Sequence, residues 1–297
     1  MPEHCSRKYL AACFPIIFIC CSLPAFSSAD DVVSAATATS QESQPTQNTM
    51  TNAPVELNRA YVMGYFTDFK DIVTSPALWD TSDWITAALV TGMAAGLYDN
   101  DAKIQKWSQD HKTTTTNDIG DNVTELGHGK YTMVLVGGLY LYGRLAGDGK
   151  AKETALLSVE SFVVTGVLVT VLKRTGGRHR PYTGDPYNTW DGPRLTARNQ
   201  SFPSGHASLS FAVASVIASE YDNAFVPPLA YGIAAITGLN RVTRNAHWAS
   251  DVFVASAIGY FTGKGIVALH RREKATGLSL VPMIDGRDAG MMLVYRF

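Results

Sequence analysis

Cysteine is nearly absent from this 297-residue chain, and all four cysteines lie within its first 21 residues. The rest of the sequence therefore has no means of forming a disulfide or a thiolate metal site, and its stability must come from its core. The formal net charge is only −1, which excludes a global attraction to nucleic acid or to an anionic membrane surface. We therefore expect no nucleic-acid partner, and any anion must be recognised by a local cluster of charge.

The N-terminal segment, residues 1–29, has the layout of a secretory signal peptide. Arg7 and Lys8 precede an apolar run over residues 10–26, and small residues follow at 27–29. An uncleaved anchor helix is the alternative, but two prolines interrupt the run and a small-residue segment ends it. We predict cleavage near Ala29 and export to the periplasm.

Composition divides the remaining chain into three parts. Residues 30–55 are rich in Ser, Thr, Gln and Ala, and have no aromatic residue, which predicts a disordered linker. Residues 56–272 show apolar residues at helical spacing, with neither an internal repeat nor a series of strands, which predicts an all-α helical bundle. Residues 273–297 alternate around Asp285-Gly286-Arg287-Asp288, which predicts a short C-terminal β-hairpin. The last strand resembles that of an outer-membrane barrel, but one hairpin cannot close a barrel.

The predicted helices give a divided answer about a membrane. Most apolar segments are shorter than the ~20 residues that a spanning helix requires, and the longest, residues 155–172, contains Glu160. This favours core helices of a soluble bundle. A membrane-embedded form remains the alternative, because short helices can tilt or thin the bilayer.

Three groups of polar residues interrupt these apolar helices. The first is KRTGGRHRP at residues 173–181, the second is PSGH at residues 203–206, and the third is NRVTRNAHWASD at residues 240–251. The first lies at the predicted end of a helix, and the other two lie at predicted helix starts. Each group taken alone is compatible with a solvated helix end.

Each group also has a chemical interpretation. His247 and Asp251 are four residues apart on one helix face, so Asp251 can accept a hydrogen bond from the ring and leave the other nitrogen basic. Ser204 and Gly205 begin a helix whose free N–H groups can hold an anion, and His206 stands beside that position. The lysine and arginines of the first group suit a tetrahedral oxyanion.

In this order and spacing, the three groups resemble the signature of the type 2 phosphatidic acid phosphatase (PAP2) superfamily. That superfamily also contains bacterial non-specific acid phosphatases and vanadium haloperoxidases, and this chain looks like an exported acid-phosphatase-like member. The motif match runs from Lys173 to Asp251. One position departs from the family pattern, because Asn240 stands where the third motif usually has serine.

The resemblance implies a role for each matching residue. His247 is expected to be the nucleophile that forms a phosphohistidine, with Asp251 orienting it and His206 protonating the leaving group. The phosphate-binding residues implied by the motifs are Lys173, Arg180, Ser204, Gly205 and Arg241. The implied fold is the helical bundle of the acid phosphatases and vanadium haloperoxidases.

The expected activity is a metal-independent phosphomonoesterase acting on a lipid phosphate or a small phosphate ester. The sequence shows no carboxylate cluster suited to Mg²⁺ and no Cys/His set suited to Zn²⁺, so we expect no cofactor and no metal. Two alternatives stay open: a vanadate-dependent haloperoxidase using the same pocket, and a non-catalytic envelope protein. We expect membrane contact to be peripheral, with the membrane-embedded form as the alternative. The aromatic residues Tyr182, Tyr187 and Trp190 are predicted to line the entrance.

Overall fold

The computed structural model describes residues 57–114, 118, 122–124, 129–193, 199–276, 278–285 and 288–295. The predicted signal peptide, residues 1–29, and the predicted linker, residues 30–55, lie outside these residues. The elements, in chain order, are α1 (Arg59–Thr74), a 3₁₀ turn (Ser75–Leu78), α2 (Thr81–Asp110), α3 (Gly129–Ala146), α4 (Gly149–Gly176), a 3₁₀ turn (Pro181–Thr183), α5 (Gly205–Glu220), α6 (Val226–Thr243), α7 (Ala249–Thr276), β1 (Leu278–Asp285) and β2 (Asp288–Tyr295).

The predicted fold class is confirmed: the described domain is an all-α bundle followed by a hairpin. Strands β1 and β2 pair antiparallel, with Leu278 opposite Tyr295 and Asp285 opposite Asp288. Helices α1, α2 and α4 begin where short polar side chains satisfy free backbone N–H groups. Asn58 accepts from the N–H of Tyr61 at 2.8 Å, and Asp148 accepts from that of Ala151 at 3.0 Å.

Helix α2 is one continuous helix of 30 residues, with an apolar first part and a more polar part from Lys103 onward. Its N-cap is Asp80, because Asp80 and Asp83 form a reciprocal capping box. Polar residues in the second half do not end the helix, since they continue its exposed face.

Two helices are longer than the apolar segments from which a soluble bundle was predicted. Helix α4, with 28 residues, contains an 18-residue window with a mean hydropathy of 2.1, and residues 249–272 of α7 contain an 18-residue window with a mean hydropathy of 1.6, so both helices are long and apolar enough to cross a membrane. Glu160 and Lys264 lie inside these helices without breaking them. Helix length is therefore compatible with a membrane protein, and equally with a soluble protein, whose core helices can be just as long and apolar.

The centre of the bundle is formed by α4, α5 and α7. The largest apolar cluster contains Leu157, Val164 and Leu168 from α4, together with Val216 from α5 and Phe261 from α7. A second cluster lies directly beneath the ends of the helices that carry the predicted motifs. Its buried members are Ala94, Val169, Leu172, Phe202, Val254 and Ile258. This cluster fixes the ends of α4 and α7 relative to each other.

Helices α5 and α7 approach so closely that two positions of α7 admit only glycine. A Cβ at Gly259 would overlap the carbonyl oxygen of Ser208 and lie 2.9 Å from the N atom of Ala212. A Cβ at Gly263 would overlap the carbonyl oxygen of Ala212 and lie 2.7 Å from the Cβ of Ser215. The neighbouring atoms are mostly backbone, so they cannot rotate away. This contact sets the position of α5 and of its N-terminal turn.

We predict that Gly259→Ala destabilises the bundle. The new methyl group must push α5 away from α7, which costs at least about 1–3 kcal/mol of unfolding free energy, the range for overpacked cores. The matched control is Gly92→Ala, because nothing lies within 4 Å of a Cβ at that exposed helical position. Alanine there should be neutral or stabilise the helix by roughly 0.5–1 kcal/mol. Thermal unfolding of both variants measures the difference, and equal melting midpoints would contradict the close approach.

Candidate active site

The three predicted motifs meet at one end of the bundle. Lys173 lies in the last turn of α4, Gly205 begins α5, and Asp251 lies in the first turn of α7. A Cβ at Gly205 would lie 3.7 Å from Cε of Lys173, so the first two motifs are in contact. The N–H of Ser204 donates to the carbonyl oxygen of Asp251 at 3.3 Å, which joins the second motif to the third.

Lys173 and Arg180 are drawn together by one backbone carbonyl. Nζ of Lys173 donates to the carbonyl oxygen of Gln200 at 2.9 Å, and Nη2 of Arg180 donates to the same oxygen at 3.4 Å. A neutral carbonyl holds the two basic side chains in place without cancelling their charge. Burial, and then the charge of Arg180, lower the pKa of Lys173 to about 7, so a bound anion would stabilise its protonated form. Both side chains therefore keep electrostatic capacity for an additional anion.

Ser204 stands at the N-terminus of α5, but its hydroxyl does not cap the helix. No side-chain capping bond is formed, and Oγ is buried without a hydrogen-bond partner. A buried hydroxyl without a partner costs free energy. The hydroxyl thus lies beside the free N–H groups of a helix start, which is a suitable place for an oxyanion.

The tautomer of His247 is set by a backbone carbonyl. Nδ1 lies 2.6 Å from the carbonyl oxygen of Ser201, and because a carbonyl only accepts, Nδ1 carries the proton. Nε2 then keeps its lone pair. The predicted direct bond from His247 to Asp251 is therefore wrong, because Ser201 occupies that position.

The surroundings of His247 keep its ring neutral. The side chain is buried, and loss of water is the largest cause that holds its pKa well below the ordinary value. The positive charges of Lys173 and Arg180 lower the pKa further, and His206 adds a smaller effect in the same direction. The bond to Ser201 raises the pKa but does not outweigh these effects. The interaction also places His206 on the same side of the molecule as His247.

Asp251 acts on His247 through Ser201. Its Oδ2 accepts from Oγ of Ser201 at 2.5 Å and from the N–H of Trp248 at 3.0 Å. The first bond fixes the residue whose carbonyl holds the histidine ring. The second fixes the chain next to His247 and satisfies a free N–H at the start of α7. Asp251 therefore positions the His247 ring indirectly, by holding Ser201 and the backbone of Trp248.

Arg178 is the residue of the site that the sequence prediction missed. Its side chain is completely buried, and Nη1 donates to Oδ1 of Asp251 at 2.6 Å while Nη2 donates to Oδ2 of Asp101 at 2.7 Å. Nε and Nη2 also donate to the carbonyl oxygen of Tyr187, at 3.0 and 2.8 Å. The guanidinium lies 4.7 to 5.5 Å from the ring centroids of three aromatic residues. These residues are Tyr98, Trp190 and Trp248.

The ion cluster around Arg178 connects three parts of the chain. Asp101 lies on α2 and accepts from both the N–H and the hydroxyl of Ser250, at the start of α7. The hydroxyl of Ser250 also accepts from Arg178. The loop after α4, the middle of α2 and the first turn of α7 are thus held by one buried guanidinium. The sequence offered no signal that pairs Asp101 with Arg178, because the two residues are 77 positions apart.

Arg241 joins the site through the backbone, and Asn240 orients its side chain. The N–H of His247 donates to the carbonyl oxygen of Arg241 at 3.2 Å. Oδ1 of Asn240 accepts from Nη2 of Arg241 at 2.6 Å. The substitution of asparagine for the usual serine thus retains a hydrogen bond, in which the side chain accepts.

The aromatic loop is only partly the predicted entrance. Tyr182 is 55% exposed, and the guanidinium carbon of Arg180 lies 5.9 Å from its ring centroid. Tyr187 and Trp190 instead pack inward against Tyr98, Phe202 and Trp248. Tyr187 and Trp190 therefore contact the buried Arg178 and do not line an entrance.

The sequence of this chain is similar to proteins of one known superfamily. Residues 154–275 match the family model of the PAP2 superfamily, which confirms the resemblance predicted from the motifs. A lipid A 1-phosphatase of Porphyromonas gingivalis is 37% identical over 121 residues, which is 39% of this chain and 24% of that protein. This chain therefore aligns with about a quarter of the length of that relative.

Two solved structures are also similar. A transmembrane PAP2-type phosphatidylglycerolphosphate phosphatase from Bacillus subtilis aligns with a TM-score of 0.48 and 20% identity, covering 62% of this chain and 94% of that one. The structure of LpxE from Aquifex aeolicus aligns with a TM-score of 0.46 and 22% identity, covering 57% of this chain and 94% of that one.

We predict that Arg178→Lys lowers the rate of the reaction catalysed at this site. Lysine keeps the charge, but it cannot contact Asp101, Asp251 and the Tyr187 carbonyl together. The positions of Ser201 and His247 should relax, so kcat should fall by about 10²-fold while KM changes little, as when an oriented catalytic group is misplaced. Arg174→Lys is the matched control, because Arg174 is an exposed arginine in the same basic segment. A loss confined to KM would contradict the positioning role.

We predict that the acid limb of the pH profile of kcat/KM lies below pH 6.5. A base with a lowered pKa stays unprotonated as the pH falls, so His247 should remain reactive in mild acid. Removing the nearby charge in Lys173→Met should raise the pKa of His247 and move this limb to higher pH. The lower rate of the variant does not obscure this shift, since only the shape of the profile is compared. Lys70→Met, at an exposed position on α1, should leave the limb where it is.

Proposed function

We propose that this protein is a phosphatase that hydrolyses a phosphomonoester of a lipid, without a metal in the reaction, through a phosphohistidine on His247. The observation that carries the proposal is the state of that ring. Nδ1 of His247 donates its proton to the carbonyl oxygen of Ser201. The surroundings keep the ring neutral, and the basic side chains of Lys173 and Arg180 lie nearby. A neutral, oriented imidazole beside two cations suits attack on a phosphorus atom.

In the proposed reaction, Lys173, Arg180 and Arg241 hold the phosphoryl oxygens, together with the hydroxyl of Ser204 and the N–H of Gly205. Charge stabilisation at these oxygens is the main requirement of phosphoryl transfer. The Ser204 hydroxyl supports this assignment because it is buried and has no partner within the protein. An oxyanion would supply the missing hydrogen bond.

The first step forms a bond between Nε2 of His247 and phosphorus while the bond to the ester oxygen breaks. His206 donates its proton to that oxygen, and the alcohol leaves. In the second step the neutral His206 takes a proton from water, which attacks phosphorus as the P–N bond breaks. Inorganic phosphate is released, and both histidines return to their starting states.

We further propose that the bundle is membrane-associated, with the lipid reaching the site from the bilayer. Large apolar side chains are exposed on the outer face of α4, where Val163, Val167 and Val171 repeat every four residues at 42–52% exposure. On α3, Val134 and Leu145 are exposed to 70% and 86%. Soluble proteins rarely expose large apolar patches. The relative from P. gingivalis is named for a lipid substrate, which supports the lipid class.

We predict that His247→Ala and His206→Ala each lower phosphate release by at least about a thousandfold, as expected for a nucleophile and its proton partner. His111→Ala is the matched control, since His111 is exposed beyond the site at the end of α2. Near-normal rates in both site variants would end the assignment. The phosphoenzyme can be trapped by quenching the reaction and then exposed to acid. We expect it to lose its phosphate in acid, because a phosphohistidine is acid-labile.

The substrate class is tested by offering four phosphates to the same preparation: phosphatidic acid, an isoprenoid pyrophosphate, lipid A and a soluble aryl phosphate, with the lipids in vesicles. We expect faster release from a lipid than from the aryl ester. Equal or faster hydrolysis of the soluble ester would contradict the lipid class. Halide oxidation after addition of vanadate, without ester hydrolysis, would contradict the phosphatase itself.

A further inference from the structure

A second polar cluster is buried in the bundle, away from the candidate active site. It consists of Asp68 on α1, Glu160 on α4 and His270 on α7, whose side chains are 8%, 0% and 11% exposed. Lys173 follows Glu160 by 13 residues on the same helix, a separation of about 20 Å at the rise of an α-helix. The proposed phosphatase reaction uses none of these side chains.

The three side chains place potential ligand atoms close together. Nε2 of His270 lies 2.9 Å from Oε2 of Glu160 and 3.6 Å from Oδ2 of Asp68. One such atom from each residue lies within 4.8 Å of the other two. Ligands of a tetrahedral zinc ion are separated by about 3.3 Å, given metal–ligand distances near 2.0–2.1 Å. The observed spacings bracket that value.

Glu160 provides the independent sign that a ligand is missing. Its Oε2 accepts from the hydroxyl of Tyr61 at 2.8 Å, but its Oε1 is buried without any hydrogen-bond partner. Asp68 also lies within hydrogen-bonding reach of Glu160. Two carboxylates in contact inside a protein require a cation or a shared proton between them. A metal ion would supply the positive charge and a bond to the unpartnered Oε1 of Glu160.

We propose that Asp68, Glu160 and His270 bind a divalent transition-metal ion, such as zinc, that fastens α1 to α4 and α7. One imidazole and two carboxylates form a ligand set typical of such ions. The ion joins residues on three helices, so its role is structural. It lies too far from His247 to take part in phosphoryl transfer, and the proposal does not depend on the reaction.

The test uses the full purified chain after chelation and dialysis. Titration with zinc should show about one tightly bound ion per chain and a higher thermal unfolding midpoint, because a ligand that binds only the folded state stabilises it. Glu160→Gln should remove both effects. A wild-type protein that binds no zinc, or whose midpoint zinc does not change, would overturn the proposal and favour a shared proton.

Two controls locate the ion. Asp185→Asn disrupts a second histidine–carboxylate group, in which Nδ1 of His179 lies 2.7 Å from Oδ2 of Asp185, and it should leave zinc binding intact. His247→Ala should also leave it intact, and loss of zinc in either variant would place the ion elsewhere and overturn the assignment. If Glu160→Gln does not fold, cobalt substituted into the wild-type protein gives the decision, since bands of a four-coordinate N/O site are expected and an octahedral aqua spectrum contradicts them.

Discussion

The geometry of the candidate active site depends on one buried cation. The guanidinium of Arg178 bridges Asp101 and Asp251 with no exposure to solvent. Charges in the protein interior are tolerated only when they are paired and fully hydrogen-bonded, and removing one partner leaves an uncompensated charge. Arg178 meets this condition through two carboxylates, a serine hydroxyl and a backbone carbonyl. The cost of breaking the cluster therefore holds α2, α7 and the loop after α4 in one arrangement.

The loop before α5 connects the ion cluster around Arg178 to the residues of the proposed reaction. The N–H of Ser201 donates to the carbonyl oxygen of Arg178 at 2.9 Å, and its hydroxyl donates to Asp251. Its own carbonyl then accepts the proton of His247. The preceding carbonyl, at Gln200, holds the two cations Lys173 and Arg180. Two consecutive peptide groups thus orient the proposed nucleophile and the proposed phosphate-binding cations, which explains how separate motifs act as one site.

The sequence was sufficient for the helical fold and for the residues that gather at the site, because both leave local signals. Apolar spacing marks helices, and titratable residues at helix ends mark the three motifs. It could not predict that Ser201 stands between His247 and Asp251, since the four-residue spacing is satisfied equally well by a direct bond. It also could not distinguish Arg178 from Lys173 or Arg180, because burial and pairing with Asp101 arise only from the packing of α2. Asp68, Glu160 and His270 were missed for the same reason: they come from three distant segments.

The two polar clusters place opposite demands on the same bundle. At one end, Arg178 is paired with Asp101 and Asp251, while Lys173 and Arg180 rest on a neutral carbonyl. These three basic side chains outnumber the two carboxylates beside a buried hydroxyl and a helix N-terminus. At the other, two carboxylates face one histidine, and a carboxylate oxygen has no partner. A low-dielectric interior makes each imbalance costly. An oxyanion would relieve the first and a cation the second, which is the common electrostatic reason for proposing a phosphoryl group at His247 and a metal ion at Glu160. Helix α4 carries Lys173 of the first cluster and Glu160 of the second. It therefore connects the proposed active site to the proposed metal ion that fastens α1.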